Sequence, residues 1–259
     1  MVLNKQRILV VGDVQAKPDE DLTFLEHIGQ YIVDKRPDAL VCIGDFYDFP
    51  SLSSYDKGKR SFEGRRLLAD LRAGHAGMER MLAPLKALQH QQRTNRKRVY
   101  TPRMEFTLGN HEDRADRASR DAPELDGLIG THMMELEQHG WNVHPFLKPV
   151  EIAGIYFVHY LANPMSGKPY AGTAMNILKT VGKSFVVGHK QVLDIAIRPT
   201  IDGKMQLGLV NGACYPHDED YKGFQGNNHF RGLIMLHEAH DGFALPMPVS
   251  LDYLEERYG

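Results

Sequence analysis

The side chains best equipped for chemistry stand in five short blocks, each at the end of an apolar run. Residues 104–108 lead into Gly109-Asn110-His111-Glu112, residues 8–11 into Gly12-Asp13-Val14-Gln15, and residues 39–43 into Gly44-Asp45-Phe46-Tyr47-Asp48. Residues 155–158 end at His159, and residues 184–187 at Gly188-His189-Lys190-Gln191. Asp13 and Asp45 are natural anions for a divalent cation, and a carboxylate can bridge two. Asn110 offers an amide oxygen; His159 and His189 offer imidazole nitrogen. Such a set suits two ions roughly 3.5–4 Å apart, clamping an oxygen that attacks phosphorus. Two dications against two aspartates leave positive charge, which attracts a phosphate. Each residue alone has an ordinary alternative, a turn for Gly-Asp and a hydrogen-bonded core position for a lone histidine. The joint pattern, five ligand types at five strand ends, is hard to reach by turn chemistry.

The positioning elements follow from the apolar spacing. Residues 7–11 and 39–43 read as strands, joined by a helix over 19–35 whose Leu22, Leu25, Ile28 and Ile32 share a face. A parallel strand–helix–strand unit brings Asp13 and Asp45 to one sheet edge, where open α/β sheets place their sites. Residues 62–92 read as one or two helices kinked or split at Pro84. A helix is expected over 123–139 with Gly140 after it, a hairpin over 150–160 about Ala153-Gly154, and a helix over 171–181 stopped by Gly182. Strand pairs follow at 193–198 with 206–210 and at 233–237 with 243–246, then a short helix at 251–257.

The bulk properties narrow the classes. At 259 residues, with 42% hydrophobic and 25% charged residues, the chain can bury a sizeable core. A formal net charge of -2 gives no global pull toward nucleic acid. Cys42 and Cys214 lie in apolar runs and read as buried thiols. No apolar stretch approaches the ~18 residues of a membrane span, and the N-terminus does not read as a signal peptide. A cytoplasmic protein is expected, with no membrane association and no obligate protein partner. We read residues 1–259 as one domain, with a helical basic insertion at about 50–103. Thirteen Lys and Arg stand against three acids between Lys57 and Arg103. That segment reads either as a solvated helix face or as a phosphate-attracting rim.

The order Asp13-x-Gln15, Gly44-Asp45-x-x-Asp48, Gly109-Asn110-His111-Glu112, His159, Gly188-His189-x-Gln191 resembles the calcineurin-like metallophosphoesterase superfamily, across most of the chain. The resemblance implies a four-layer α/β/β/α sandwich of two mixed sheets. It implies a dinuclear site in which Asp13 and Asp45 bind the first ion, and Asp45 bridges to a second held by Asn110, His159 and His189. His111 would protonate the leaving oxygen or stabilise the transition state, and Asp48 would orient it. Gln15 and Gln191 stand where the family usually has histidine. As amide-oxygen ligands they would give the first ion only oxygens, which favours manganese or magnesium over zinc. Glutamine at the first place occurs in manganese-dependent nucleoside-diphosphate-linked pyrophosphatases of the superfamily, and at the last in 5′-nucleotidases. Manganese is expected foremost, with magnesium, zinc, iron or nickel as the other ions such a set takes.

The expected reaction is hydrolysis of a phosphodiester or nucleotide by a water activated between the two ions; nucleic acid is included among the substrates. A phosphomonoesterase acting on nucleotides or phosphoproteins is the alternative, and a catalytically idle metal-binding scaffold a third. Arg114 is a candidate for a non-bridging phosphate oxygen, or else a surface ion-pair partner. His229, in a segment of aromatics and amides, is a candidate substrate contact.

Overall fold

The computed structural model describes residues 5–54, 58, 60–219 and 223–259. Strands whose side chains are apolar on both faces occupy the middle of the molecule. β1 (Gln6–Val11) turns Ile8 and Val10 to one side and Leu9 and Val11 to the other, and all four are buried. It pairs in parallel with β2 (Ala39–Cys42), β2 with β3 (Arg103–Thr107), and β3 with β4 (Asn142–His144). β10 (Gly232–His240) lies antiparallel on the other side of β1, and β11 (Phe243–Ser250) lies antiparallel to β10. The second sheet holds β5 (Val150–Ile152), β6 (Ile155–Phe157), β7 (Phe185–Val187), β8 (Leu193–Pro199) and β9 (Met205–Asn211), in the order β5-β6-β7-β9-β8. Its β6, β7 and β9 are parallel; β5 and β8 are antiparallel edges.

Three apolar layers bind these sheets into the expected four-layer α/β/β/α sandwich. Ile8, Val10, Val41 and Ile234 of the first sheet meet Phe157, Val186, Leu207 and Leu209 of the second. On the outer face of the first sheet lie α1 (Phe24–Lys35), α2 (Leu67–Thr94) and α6 (Leu251–Tyr258), through Leu25, Ile28, Met78, Met81 and Leu254. On the outer face of the second, α4 (Ala174–Val181) packs Ile177 and Leu178 on Phe185 and Val210. No helix among the described residues is long and apolar enough to cross a membrane. Both cysteines are buried and free.

Several expectations need correction. Of the two readings for 62–92, one helix holds and the split does not: α2 runs on through Pro84, and α1 crosses it there. Residues 123–139 form three 3-10 turns, Pro123–Leu125, Thr131–Met134 and Leu136–His139, and no α-helix. Gly127 at φ 78 and Glu135 at φ 51 interrupt that stretch, and the Asp116 carboxylate takes the Thr131 N–H at 2.7 Å. The charged stretch before it, left without an element in the sequence reading, is α3 (Asp113–Asp121). It buries only Ala115 and Ser119, too small a stripe to register as apolar periodicity. β4 was likewise missed.

The basic segment supplies the connection from β2 to β3, and its cations do not gather on one rim. Lys86, Arg93, Arg96, Lys97 and Arg98 sit near the end of α2, and Arg103 opens β3, so they face the end of the sheet opposite Asn110. At ~1.5 Å per residue, Lys86 lies about 28 Å along the helix from Leu67. Arg60, Arg65 and Arg66 lie toward the site end; Lys57 and Lys59 lie outside the described residues.

The α1–α2 crossing gives a direct test of the outer layer. A Cβ on Gly29 would stand 2.4 Å from the Met81 carbonyl oxygen and 2.9 Å from the Pro84 ring. Gly29→Val should cost about 1–3 kcal/mol by overpacking, seen as a lower urea midpoint at unchanged m. An unaltered midpoint would mean that the helices separate freely.

Candidate metal centre and active site

Parallel strands deliver their C-terminal turns to the same end, and the two sheets do so side by side. β1, β2 and β3 present Asp13, Asp45 and Asn110; β6 and β7 present His159 and His189. Asp45, His159 and His189 each place a ligand atom within 4.8 Å of the other two. Asn110 Oδ1 lies 2.8 Å from His159 Nε2 and 2.8 Å from His189 Nδ1. His159 Nδ1 donates to the Ile43 carbonyl at 2.9 Å, which turns Nε2 toward the cluster, as a ligating histidine requires.

Backbone conformation does much of the aiming. Asp13 (φ 52), Gln15 (φ 49), Asp45 (φ 52), His189 (φ 65) and Gln191 (φ 56) all take the left-handed region. Such backbone costs non-glycine residues free energy and concentrates at functional sites. Glycines permit the tight approach: a Cβ on Gly109 would stand 2.2 Å from Asp45 Oδ1, and one on Gly188 2.2 Å from Asp13 Oδ2.

Glu112 anchors these turns, a role the sequence reading did not assign. Its Oε2 accepts the N–H groups of Asp45 and Gly109, each at 2.8 Å. Its Oε1 accepts those of Phe46 at 2.7 Å and Tyr47 at 2.9 Å. Only its place beside His111 marks it in the sequence; the convergence of two turns on one carboxylate is a tertiary fact.

The predicted catalytic residues come together at the same edge. His111 Nδ1 stands 2.6 Å from Asp48 Oδ1, and Nε2 stands 3.6 Å from Asp45 Oδ2. Arg114 donates from Nη2 to His111 Nε2 at 2.9 Å and from Nη1 to the Asp48 carbonyl at 2.7 Å. It is therefore built into the site and is no surface ion pair with Asp113 or Asp116. His229 stands one ring back: it meets the Tyr215 ring edge-on, centroids 5.7 Å apart, and lies outside the cation cluster. Tyr160, unremarked in the sequence, packs its ring 4.8 Å from that of His189.

Asp13 stands beside the Asp45, His159 and His189 group, its Oδ2 accepting the His189 N–H at 3.0 Å. Gln191 Nε2 lies 3.4 Å from Asp13 Oδ1. Gln15 Nε2 and both amide atoms of Asn211, at the end of β9, are buried without a hydrogen-bond partner among the described residues. Buried amides are ordinarily satisfied, and an unpaired amide N–H calls for an acceptor such as water. The donors Asp45, Asn110, His159 and His189 fit a divalent metal.

Protonation is coupled across the site. Burial, reinforced by Asp45, pushes Asp13 up to about 7. Burial also works against the Asp45 anion, but His111 and His159 hold it below the usual carboxylate range. Burial disfavours His159 as a cation, yet Asp45 outweighs it and raises it to about 9. Burial and His159 lower His189 to about 4.

A model of the calcineurin-like phosphoesterase family matches residues 6–168, more than half of the chain. The chain belongs to this family. It is accordingly a hydrolase of phosphoric esters. Two phage proteins are similar, both named Gene 54 protein. The one from Mycobacterium phage D29 is 29% identical over 189 residues, 71% of this chain and 68% of the relative. The one from Mycobacterium phage L5 is 27% identical over the same shares. Among solved structures, Yfce, a phosphoesterase from E. coli, aligns over 95% of this chain and 99% of its own at 12% identity, with a TM-score of 0.40.

Two predictions follow from the geometry. Glu112→Gln keeps the shape but puts a donor against two backbone donors; unfolding in urea should show a loss of about 2–4 kcal/mol. An unchanged value would mean the four N–H groups find other partners. Metal uptake needs Asp13 and His159 deprotonated, so it releases protons and strengthens as pH rises through about 7 and on toward 9. Calorimetric titration with Mn2+ in buffers of different ionisation enthalpy reads that release directly; affinity flat from pH 6 to 9 would contradict it.

Proposed function

We propose that the chain hydrolyses a phosphodiester or nucleotide phosphoester, with a pair of divalent cations of which manganese is preferred. The observation that carries this reading is the convergence of Asp45, Asn110, His159 and His189 on one point, with His111 at its rim. Cations bound there supply Lewis-acid charge and activate a water for in-line attack. The oxygen-only set of Asp13, Gln15, Asp45 and Gln191 supports manganese or magnesium at the first position.

The side chains then divide the work. Asp45, beside Asp13 on one side and His159 on the other, is the carboxylate that would hold both cations. His111 Nε2 faces the cluster and is the group placed to protonate the leaving oxygen. In the structure that nitrogen accepts from Arg114. A phosphate oxygen is a stronger, charged partner for the guanidinium, so substrate binding draws Arg114 off and leaves Nε2 open to take up from water the proton it passes to the leaving group. Asp48, at 2.6 Å from Nδ1, holds the ring and favours its protonated form.

His111→Ala should retain manganese and lose turnover by ~10²–10⁴; turnover at the wild-type level would remove the proposed acid. Bis-p-nitrophenyl phosphate hydrolysed faster than p-nitrophenyl phosphate with Mn2+ supports the diester reading. The reverse order assigns a monoesterase, and no hydrolysis of either an idle scaffold.

A further inference from the structure

Each sheet ends in two edge strands, and all but β8 are blunted. β4 and β5 are three residues long, and β11 carries Pro246 and Pro248, which have no N–H to offer. β8 runs seven residues against β9 with no break in register, from Leu193 opposite Asn211 to Pro199 opposite Met205. The Gly212 N–H donates to the Val192 carbonyl, and the Thr200 N–H to the Lys204 carbonyl. The even-numbered residues of β8 therefore turn their backbone groups to β9. The N–H groups and carbonyls of Leu193, Ile195 and Ile197, with the Pro199 carbonyl, line the free edge, and no other strand of the described residues takes them. Ile195 and Ile197 share the face of Leu207 and Leu209, toward the first sheet. There β9 packs on β11, the last strand of the first sheet, so β8 projects past it. Both isoleucines are accordingly left 37% and 40% exposed. A long, regular, apolar edge of this kind is a template for another strand.

We infer that β8 pairs antiparallel with β8 of a second copy of this chain, about a twofold axis at Ala196, so that the two five-stranded sheets become one. The strand is self-complementary in that register, as a twofold contact requires. Ile195 comes opposite Ile197 of the second copy, and Leu193 opposite Pro199. Each outward N–H then meets an outward carbonyl, and Pro199, which lacks an N–H, falls at the rim of the pairing. On the other face Asp194 comes opposite Arg198 of the second copy, and the reverse by symmetry. Asp194 Oδ2 accepts the Ala174 N–H at 2.6 Å, and Arg198 Nε donates to Gln206 Oε1 at 2.9 Å. Those bonds fix both side chains and leave Oδ1 and the Nη groups for the pair. These positions are of the non-hydrogen-bonded kind, where side chains stand closest, and opposite charges there are favourable. An edge built to stay free carries proline or like charges at its centre; the centre here is Ile195-Ala196-Ile197, flanked by charges of opposite sign. The pairing points the two candidate metal centres toward opposite ends of the joined sheet. Each chain keeps a complete site, so the inference is independent of the metal-dependent reading.

Sedimentation velocity of the full chain over micromolar concentrations should show a reversible dimer. Ile195→Lys combined with Ile197→Lys sets cation against cation across the axis and should raise the dissociation constant by about tenfold or more, with the far-ultraviolet circular dichroism unchanged. Cysteine substitution reads the register. Ala196→Cys stands opposite itself at a Cα separation of about 4.5 Å, within disulfide range. Since both native cysteines are buried, mild oxidation should join that variant into a covalent dimer. Ile195→Cys, offset from its own copy along the strand, should not cross-link. If the lysine variant misfolds, the cysteine pair alone decides. A monomer throughout, a dimer indifferent to the lysines, or a cysteine at 196 that cross-links no faster than one at 195 overturns the inference.

Discussion

Four backbone N–H groups aimed at one buried carboxylate hold this site together. Glu112 follows His111 on the β3 turn, yet three of its four donors belong to the β2 turn. The bond is answered in the other direction, since Asp45 Oδ1 accepts the His111 N–H at 2.9 Å. Two loops far apart in sequence thus satisfy each other's polar groups where water has no access, and neither can shift alone. This mutual lock lets Asp45 persist in left-handed backbone, a conformation that costs an unsupported residue of its type on the order of 1–2 kcal/mol.

The two sheets make different electrostatic contributions. The first supplies acids, Asp13, Asp45 and Asp48; the second supplies imidazoles, His159 and His189, and an amide, Gln191. His159 balances Asp45 at 3.2 Å, while burial, reinforced by Asp45, pushes Asp13 up to about 7. Arg114 Nη2 lies against His111 Nε2 at 2.9 Å, the nitrogen proposed to serve the leaving oxygen.

Much of this was legible from the chain because parallel strands impose a rule. Buried inner strands read as continuous apolar runs, and the residue after each run falls at one edge. That puts Asp13, Asp45 and Asn110 at one edge and His159 and His189 at another; that the two edges meet is what the family resemblance implies. Hairpins at Ala153-Gly154 and Asp241-Gly242 and the Gly182 stop were equally local and equally readable. What stayed hidden depends on partners distant in sequence. α3 is helical over a stripe of Ala115 and Ser119 that only tertiary contact makes apolar enough. The stretch at 123–139 has a helix's composition, but Gly127 and the Asp116 cap divide it. Glu112 and Asn211 carry no spacing signal, since their meaning lies in which backbone or amide they meet. The cations from Arg60 to Arg103 are consecutive in the chain, but the long α2 spreads them toward opposite poles.

The apolar layer between the sheets acquires a second duty from this division of labour. Half of the cluster hangs from each sheet, and the Ile43 carbonyl that orients His159 reaches from one to the other. Ile8, Val41, Phe157 and Leu209 thus act as a spacer that sets the gap between acid and imidazole. A repacking that preserved stability but let the sheets slide by an ångström would leave a well-folded protein with its chemistry out of alignment. Drift in the composition of that greasy middle is consequently limited by catalysis as much as by folding.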